Sequence, residues 1–112
     1  MTIKALQVQY KGTDEVLNAR LDMQGKLESG ETLTGTPTVT IIGGSTLIAI
    51  SSISVSTGAL TVNGSTCSAG QVIQFVVTGG VANTRYVLKA LASTTAGQTI
   101  GEKCPLIVEA ST

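Results

Sequence analysis

The residues of this chain that could do chemistry are few. They are seven carboxylates and two cysteines, and among the 112 residues there is no histidine. Without an imidazole, the Ser–His–Asp and Cys–His schemes of nucleophilic catalysis have no general base. The carboxylates are Asp14, Glu15, Asp22, Glu28, Glu31, Glu102 and Glu109. Glycoside hydrolysis needs two carboxyls held about 5–10 Å apart across a cleft. Only Asp14 and Glu15 are neighbours, and adjacent residues point in different directions. Structural or solvated roles are expected for all seven. Cys67 and Cys104 lack the C-x-x-C spacing of a metal site and have no histidine to join them. The expectation is two buried, reduced thiols, with a disulfide between neighbouring strands as the alternative. Gly43-Gly44 and Gly79-Gly80 lack the following Lys-Ser/Thr and helix of a phosphate loop, and are read as hairpin turns. No catalytic residue, cofactor or metal is expected.

Binding chemistry is constrained in the same way. Lys4, Lys11, Arg20, Lys26, Arg85, Lys89 and Lys103 are dispersed along the sequence and are read as solvated. The formal net charge is +0. This argues against nucleic acid, whose phosphates call for clustered Lys and Arg, and against an anionic membrane surface. The aromatics are Tyr10, Phe75 and Tyr86, too few for a stacking platform. Phe75 is expected in the core. Tyr86 is either an ordinary half-buried tyrosine or a tyrosine-corner residue, whose hydroxyl ties down a loop. Met1 to Tyr10 has no secretory apolar stretch. The run from Thr40 to Val55 is interrupted by Gly43, Gly44 and several serines, too polar and short to cross a bilayer. Synthesis in the cytoplasm is the expectation.

The elements that carry these residues have a period of two. Thr38-Val39-Thr40-Ile41 and Ser52-Ile53-Ser54-Val55-Ser56 alternate polar and apolar, and Gln71 to Val77, Arg85 to Leu91 and Pro105 to Glu109 are denser runs. Such alternation presents one face to a core and the other to solvent, and Val, Ile and Thr suit the pleated surface. Leu17, Ala19, Leu21 and Met23 share one face under the same period, so the ambiguous stretch from Asp14 to Leu27 is read as a strand with a turn over Gln24 to Glu31. Turn signals fall between the runs at Lys11-Gly12, Ser29-Gly30, Thr57-Gly58, Asn63-Gly64, Ala69-Gly70, Gly79-Gly80 and Ala96-Gly97. The Ser/Thr-rich stretch from Gly43 to Ser65 is read as two adjacent strands. The whole, residues 1–112, is expected to be one all-β domain, an antiparallel sandwich of about seven or eight short strands.

Three stretches in matching order carry a resemblance. The first is Lys11-Gly12-Thr13-Asp14-Glu15-Val16-Leu17. The second is Leu27-Glu28-Ser29-Gly30-Glu31-Thr32-Leu33, leading to Pro37-Thr38-Val39-Thr40-Ile41. The third is Val77-Thr78-Gly79-Gly80 with Thr84, Tyr86 and Leu88, followed by Thr94-Thr95-Ala96-Gly97-Gln98. Together they resemble the small bacteriophage virion proteins described as fibre–tail adaptors, with Met23 standing where members often have an aromatic. The resemblance implies an Ig-like sandwich on a virion with no enzymatic role, and carries over no functional residue. The expected partners are other phage virion proteins of the tail, fibre, portal region or capsid, in a homo-oligomeric arrangement. Capsid decoration is the alternative station, and a free Ig-like protein- or carbohydrate-binding module is the alternative function. The candidate partner-contact strand is the N-terminal run, with Ile3, Lys4, Leu6, Val8 and Tyr10 as its residues, because an exposed strand edge offers backbone groups that a partner can extend; the alternative is an ordinary first strand within the same sandwich.

Overall fold

The computed structural model describes residues 9–13, 15–42, 47–62 and 64–110. Among them are nine strands: β1 (Gln9–Gly12), β2 (Leu17–Asp22), β3 (Leu33–Ile42), β4 (Ile48–Val55), β5 (Leu60–Val62), β6 (Ser65–Cys67), β7 (Val72–Gly79), β8 (Thr84–Thr94) and β9 (Thr99–Glu109). The period of two holds best in β8, where Tyr86, Leu88, Ala90, Ala92 and Thr94 are buried and the residues between them are exposed or half-buried. In the ambiguous segment, Ala19, Leu21 and Met23 are buried together on one side of β2. The strand stops at Asp22, whose carboxylate accepts the Gln24 backbone N–H at 2.8 Å and so starts a single 3-10 turn, Gln24–Lys26.

The strands form a four-stranded sheet in the order β1-β9-β8-β3, a three-stranded sheet in the order β2-β7-β4, and the separate β5-β6 hairpin. One cluster of buried residues draws on both larger sheets, which makes the molecule a sandwich. The second sheet contributes Leu21, Ile73, Phe75 and Val77, and the first contributes Leu88, Cys104, Leu106 and Val108. Phe75, 2% exposed, is the largest side chain fully enclosed. A smaller cluster of Val62, Cys67 and Val72 lies under the hairpin. Among the described residues no helix is long and apolar enough to cross a membrane.

Several expectations are corrected. Nine strands replace seven or eight, and three of them are long rather than short: β3 has 10 residues, and β8 and β9 have 11 each. The reason is the β8–β9 pairing, which runs unbroken from Thr84 opposite Val108 to Ser93 opposite Thr99. The sandwich is antiparallel except at β1, which runs parallel to β9 because the chain enters along its edge and then crosses to the other sheet. Lys11-Gly12 is no turn but the end of β1, opposite Val108 and Glu109. The stretch from 43 to 65 does hold two strands, β4 and β5, but they do not pair: β4 joins β7, and β5 joins β6. Val62 faces Ser65, and Gly64 between them has φ +81°, as a tight reversal of the chain requires.

Gly79-Gly80 is not a hairpin turn either. It sits where the chain leaves one sheet for the other, since β7 and β8 belong to different sheets. Both glycines have positive φ, +77° and +104°. A Cβ on Gly79 would lie 2.5 Å from the Leu47 carbonyl oxygen, which the Gly80 N–H binds at 2.8 Å. The corner therefore needs glycine for conformation and for space. Gly43-Gly44 lies outside the described residues.

Truncation of the central aromatic tests the core. Phe75→Ala is expected to cost about 3–5 kcal/mol, read as a lowered midpoint of chemical unfolding at unchanged slope.

Candidate functional site

The strand order gathers the connections at two ends. At one end lie the β2–β3 connection, the β5–β6 region and the β8–β9 turn. At the other lie the β1–β2 connection, the β7–β8 corner and the start of β4. The stretches singled out by sequence meet at these ends. The turn over Glu28–Glu31 docks on the β8–β9 turn: the Thr94 hydroxyl donates to Glu31 Oε2, the Glu28 N–H donates to Glu31 Oε1 at 2.9 Å, and the Thr95 N–H donates to the Thr32 carbonyl at 2.9 Å. Glu31 is buried. The Thr94 hydroxyl and then the Glu28 N–H hold its carboxyl below the ordinary value of 4.5, against the opposing effect of burial.

The opposite end is tied by Lys11. Expected to be solvated, it is 3% exposed. It lies on the inward side of β1, where the carbonyls of Gly12 and Gly79 each accept from its Nζ at 2.7 Å. The Glu15 carboxylate accepts the Gly12 N–H in the same turn. No local signal marks this lysine, because Gly79 is distant in sequence. At the corner itself the Tyr86 hydroxyl accepts the Val81 N–H at 2.9 Å, so this tyrosine takes the loop-tying role. These carboxylates and this cation are structural ties and converge on no cleft.

The cysteines lie in the interior. Both remain thiols, fully buried in different clusters, Cys104 in the main core and Cys67 under the hairpin. Burial, with the Glu102 charge as a second cause, pushes the Cys104 thiol up to about 12. Among the described residues no group of three or more Cys, Asp or Glu is placed to hold a metal ion.

Of the candidate contact residues, only Tyr10 falls within the described part of the chain. Ile3, Lys4, Leu6 and Val8 lie outside the described residues. Tyr10 is on β1, at the edge of the four-stranded sheet, with its side chain on the outer face and 61% exposed. Among the described residues β1 covers β9 only from Leu106 to Glu109. A groove of about 510 Å³ lies between the 3-10 turn and the start of β9, lined by Lys26, Leu27, Glu28, Gln98, Ile100 and Gly101. A depression of about 300 Å³ on the outer face of the other sheet is lined by Asn18, Arg20, Ser52, Ser54 and Gln74. There β4 bulges between Ser51 and Ser54, and Ser52 has φ +54°.

The described residues form an all-β sandwich with polar ties at its two ends. The family model for podophage GP4 fiber-tail adaptor protein gp77 matches residues 11–106, and this chain belongs to that family. No curated protein matches it.

Two outcomes check the buried groups. Because the Glu31 carboxyl is lowered in the folded state, its contribution to stability is complete above the unfolded value of 4.5 and is lost as the pH falls through the lower folded value. Glu31→Gln is expected to flatten the acid-side loss of stability below pH 4.5, measured by urea unfolding from pH 2.5 to 7. Separately, a disulfide-exchange thiol reagent at pH 8 is expected to leave Cys67 and Cys104 unlabelled until denaturant unfolds the chain.

Proposed function

We propose that this chain is a non-enzymatic structural component of a phage virion that joins fibre to tail through contacts with other virion proteins. The observation that carries the reading is the adaptor-family match over residues 11–106. A connector of this kind needs rigidity and faces to bind through, and the sandwich supplies both. Its location is the particle, after synthesis in the host cytoplasm, and its arrangement there is homo-oligomeric, since a junction around a symmetric tail calls for a closed ring. We further read the sandwich as Ig-like. The order β2-β7-β4 over β9-β8-β3 follows the B-E-D over G-F-C order of that fold, and the Tyr86 hydroxyl stands at the corner between the sheets.

The N-terminal run, with Ile3, Lys4, Leu6, Val8 and Tyr10, is the proposed partner-contact strand. Support comes from β1, which already lies at a sheet edge with Tyr10 exposed. The expected outcome of quantitative mass spectrometry on purified particles is this chain at a copy number on the order of six to twelve, as a ring requires. Hundreds of copies would instead indicate capsid decoration, and absence from particles would leave a free binding module. Removal of residues 1–9 is expected to reduce incorporation much more than it lowers the unfolding midpoint.

A further inference from the structure

The two outer faces of the sandwich differ. On the three-stranded sheet the outward residues of β2 and β7 include Asn18, Arg20 and Gln74, and β4 adds Ser51 and Ser54 opposite β7. This is the polar face that solvent normally meets on an antiparallel sheet. The four-stranded sheet departs from that pattern. Its strands β8 and β9 carry apolar residues on both sides: Leu106 and Val108 point into the core, while the half-buried Ile107 and Val87 lie on the other side.

Cross-strand register assembles the outward residues into rows. Tyr10, Ile107 and Arg85 form one row across β1, β9 and β8. Half-buried Val87 and exposed Ile42, beside the buried Pro105, form the next, across β8 and β3. Tyr10 is 61% exposed and Ile42 47%. In the following row Lys103 stands directly opposite Lys89, and the neighbour of Lys89 on β3 is Thr40. Beyond them the partly exposed Leu91 lies over Gly101, where a Cβ would meet its Cδ2 at 2.7 Å. The face thus exposes Tyr10 and Ile42 with half-buried Ile107 and Val87 between them, and has cations on both flanks.

The paired lysines carry the argument. Like charges directly opposite each other across a strand pair are destabilising, and neither lysine has a carboxylate opposite it in the register. Glu102, the neighbour of Lys103, lies on the inward side, where its charge acts on Cys104. Glu109, at the far end of β9, is opposite Gly12. Three cations, Arg85, Lys89 and Lys103, therefore face outward in a chain whose formal net charge is +0.

We propose that the outer face of the β1-β9-β8-β3 sheet is the docking surface for a virion partner, and that the partner presents a protein surface with an apolar centre flanked by carboxylates. This deepens the adaptor reading and rests on it. Apolar area supplies the centre of such an interface, and carboxylates opposite the lysines set its orientation and its rate of encounter. A second copy meeting face to face would bring the lysines against one another. Nucleic acid would leave the apolar rows without a counterpart.

The test uses particles from phage deleted for this gene as the probe, with purified full-length chain added back and the bound copies counted after sedimentation. The expected result is saturable binding that weakens between 50 and 500 mM NaCl. Binding should fall at least tenfold in Lys89→Glu/Lys103→Glu and in Ile42→Asp, all with unfolding midpoints near that of the unmodified chain. Arg20→Glu, on the opposite face, should bind like the unmodified chain. Binding of the lysine reversal within twofold of the unmodified chain overturns the proposal, as does an equal loss in Arg20→Glu. So does finding that the two lysines govern self-association or retention of duplex DNA instead. Absence of the unmodified chain from normal particles overturns the adaptor reading itself, a result distinct from binding that ignores this face.

Discussion

Strand ladders hold each sheet of this sandwich together internally, but the two sheets are attached mainly through the side chains pressed between them. Everything else in the structure depends on that interlayer contact. Phe75 and its neighbours on β7 fill it from one side, and Leu88, Leu106 and Val108 fill it from the other. Burial of this kind is strong but non-directional, and by itself it does not fix the relation of one sheet to the other at the ends, where the layer thins and the chain must cross. The polar ties supply that direction. Lys11 reaches from β1 to the Gly79 carbonyl on the opposite sheet, and Tyr86 holds the adjacent corner. At the far end Glu31 closes its own turn and grips Thr94. Buried polar groups are tolerated there because each has its hydrogen-bond partners.

These ties also explain what the sequence makes legible. Alternation along β8 and along the Leu17–Met23 face reports which side of a strand meets the core, because side-chain direction has a strict period of two. Turn dipeptides such as Asn63-Gly64 report where the chain reverses, because positive φ is a local property. Neither signal says which strand lies beside which. Gly79-Gly80 has the composition of a hairpin turn, yet it makes a crossing between sheets, and only the packing against Leu47 distinguishes the two. Lys11 reads as solvated for the same reason: its partners include the Gly79 carbonyl far along the chain. Of the proposed contact strand, Tyr10 alone falls within the described residues.

The stretches that carry the family resemblance are accounted for by this picture. The first and third meet at Lys11 and Gly79, and the second and third meet at Glu31 and Thr94. They specify how the ends of the sandwich close. The surface available for recognition is left to positions outside those ties, on the outer sheet faces and along the edges. A fold of this type keeps its scaffold and its recognition surface on separate residues, so one can vary without unfolding the other.

The parallel pairing of β1 with β9 bears on how such a connector responds to load. Gln9 to Gly12 runs beside Leu106 to Glu109 in the same direction. Traction applied at the start of β1 and at the end of β9 pulls the two strands past each other lengthwise. The hydrogen bonds of the pair are then strained together, whereas an antiparallel pair held at one end peels open one bond at a time. Tension between those two points therefore places this seam in shear.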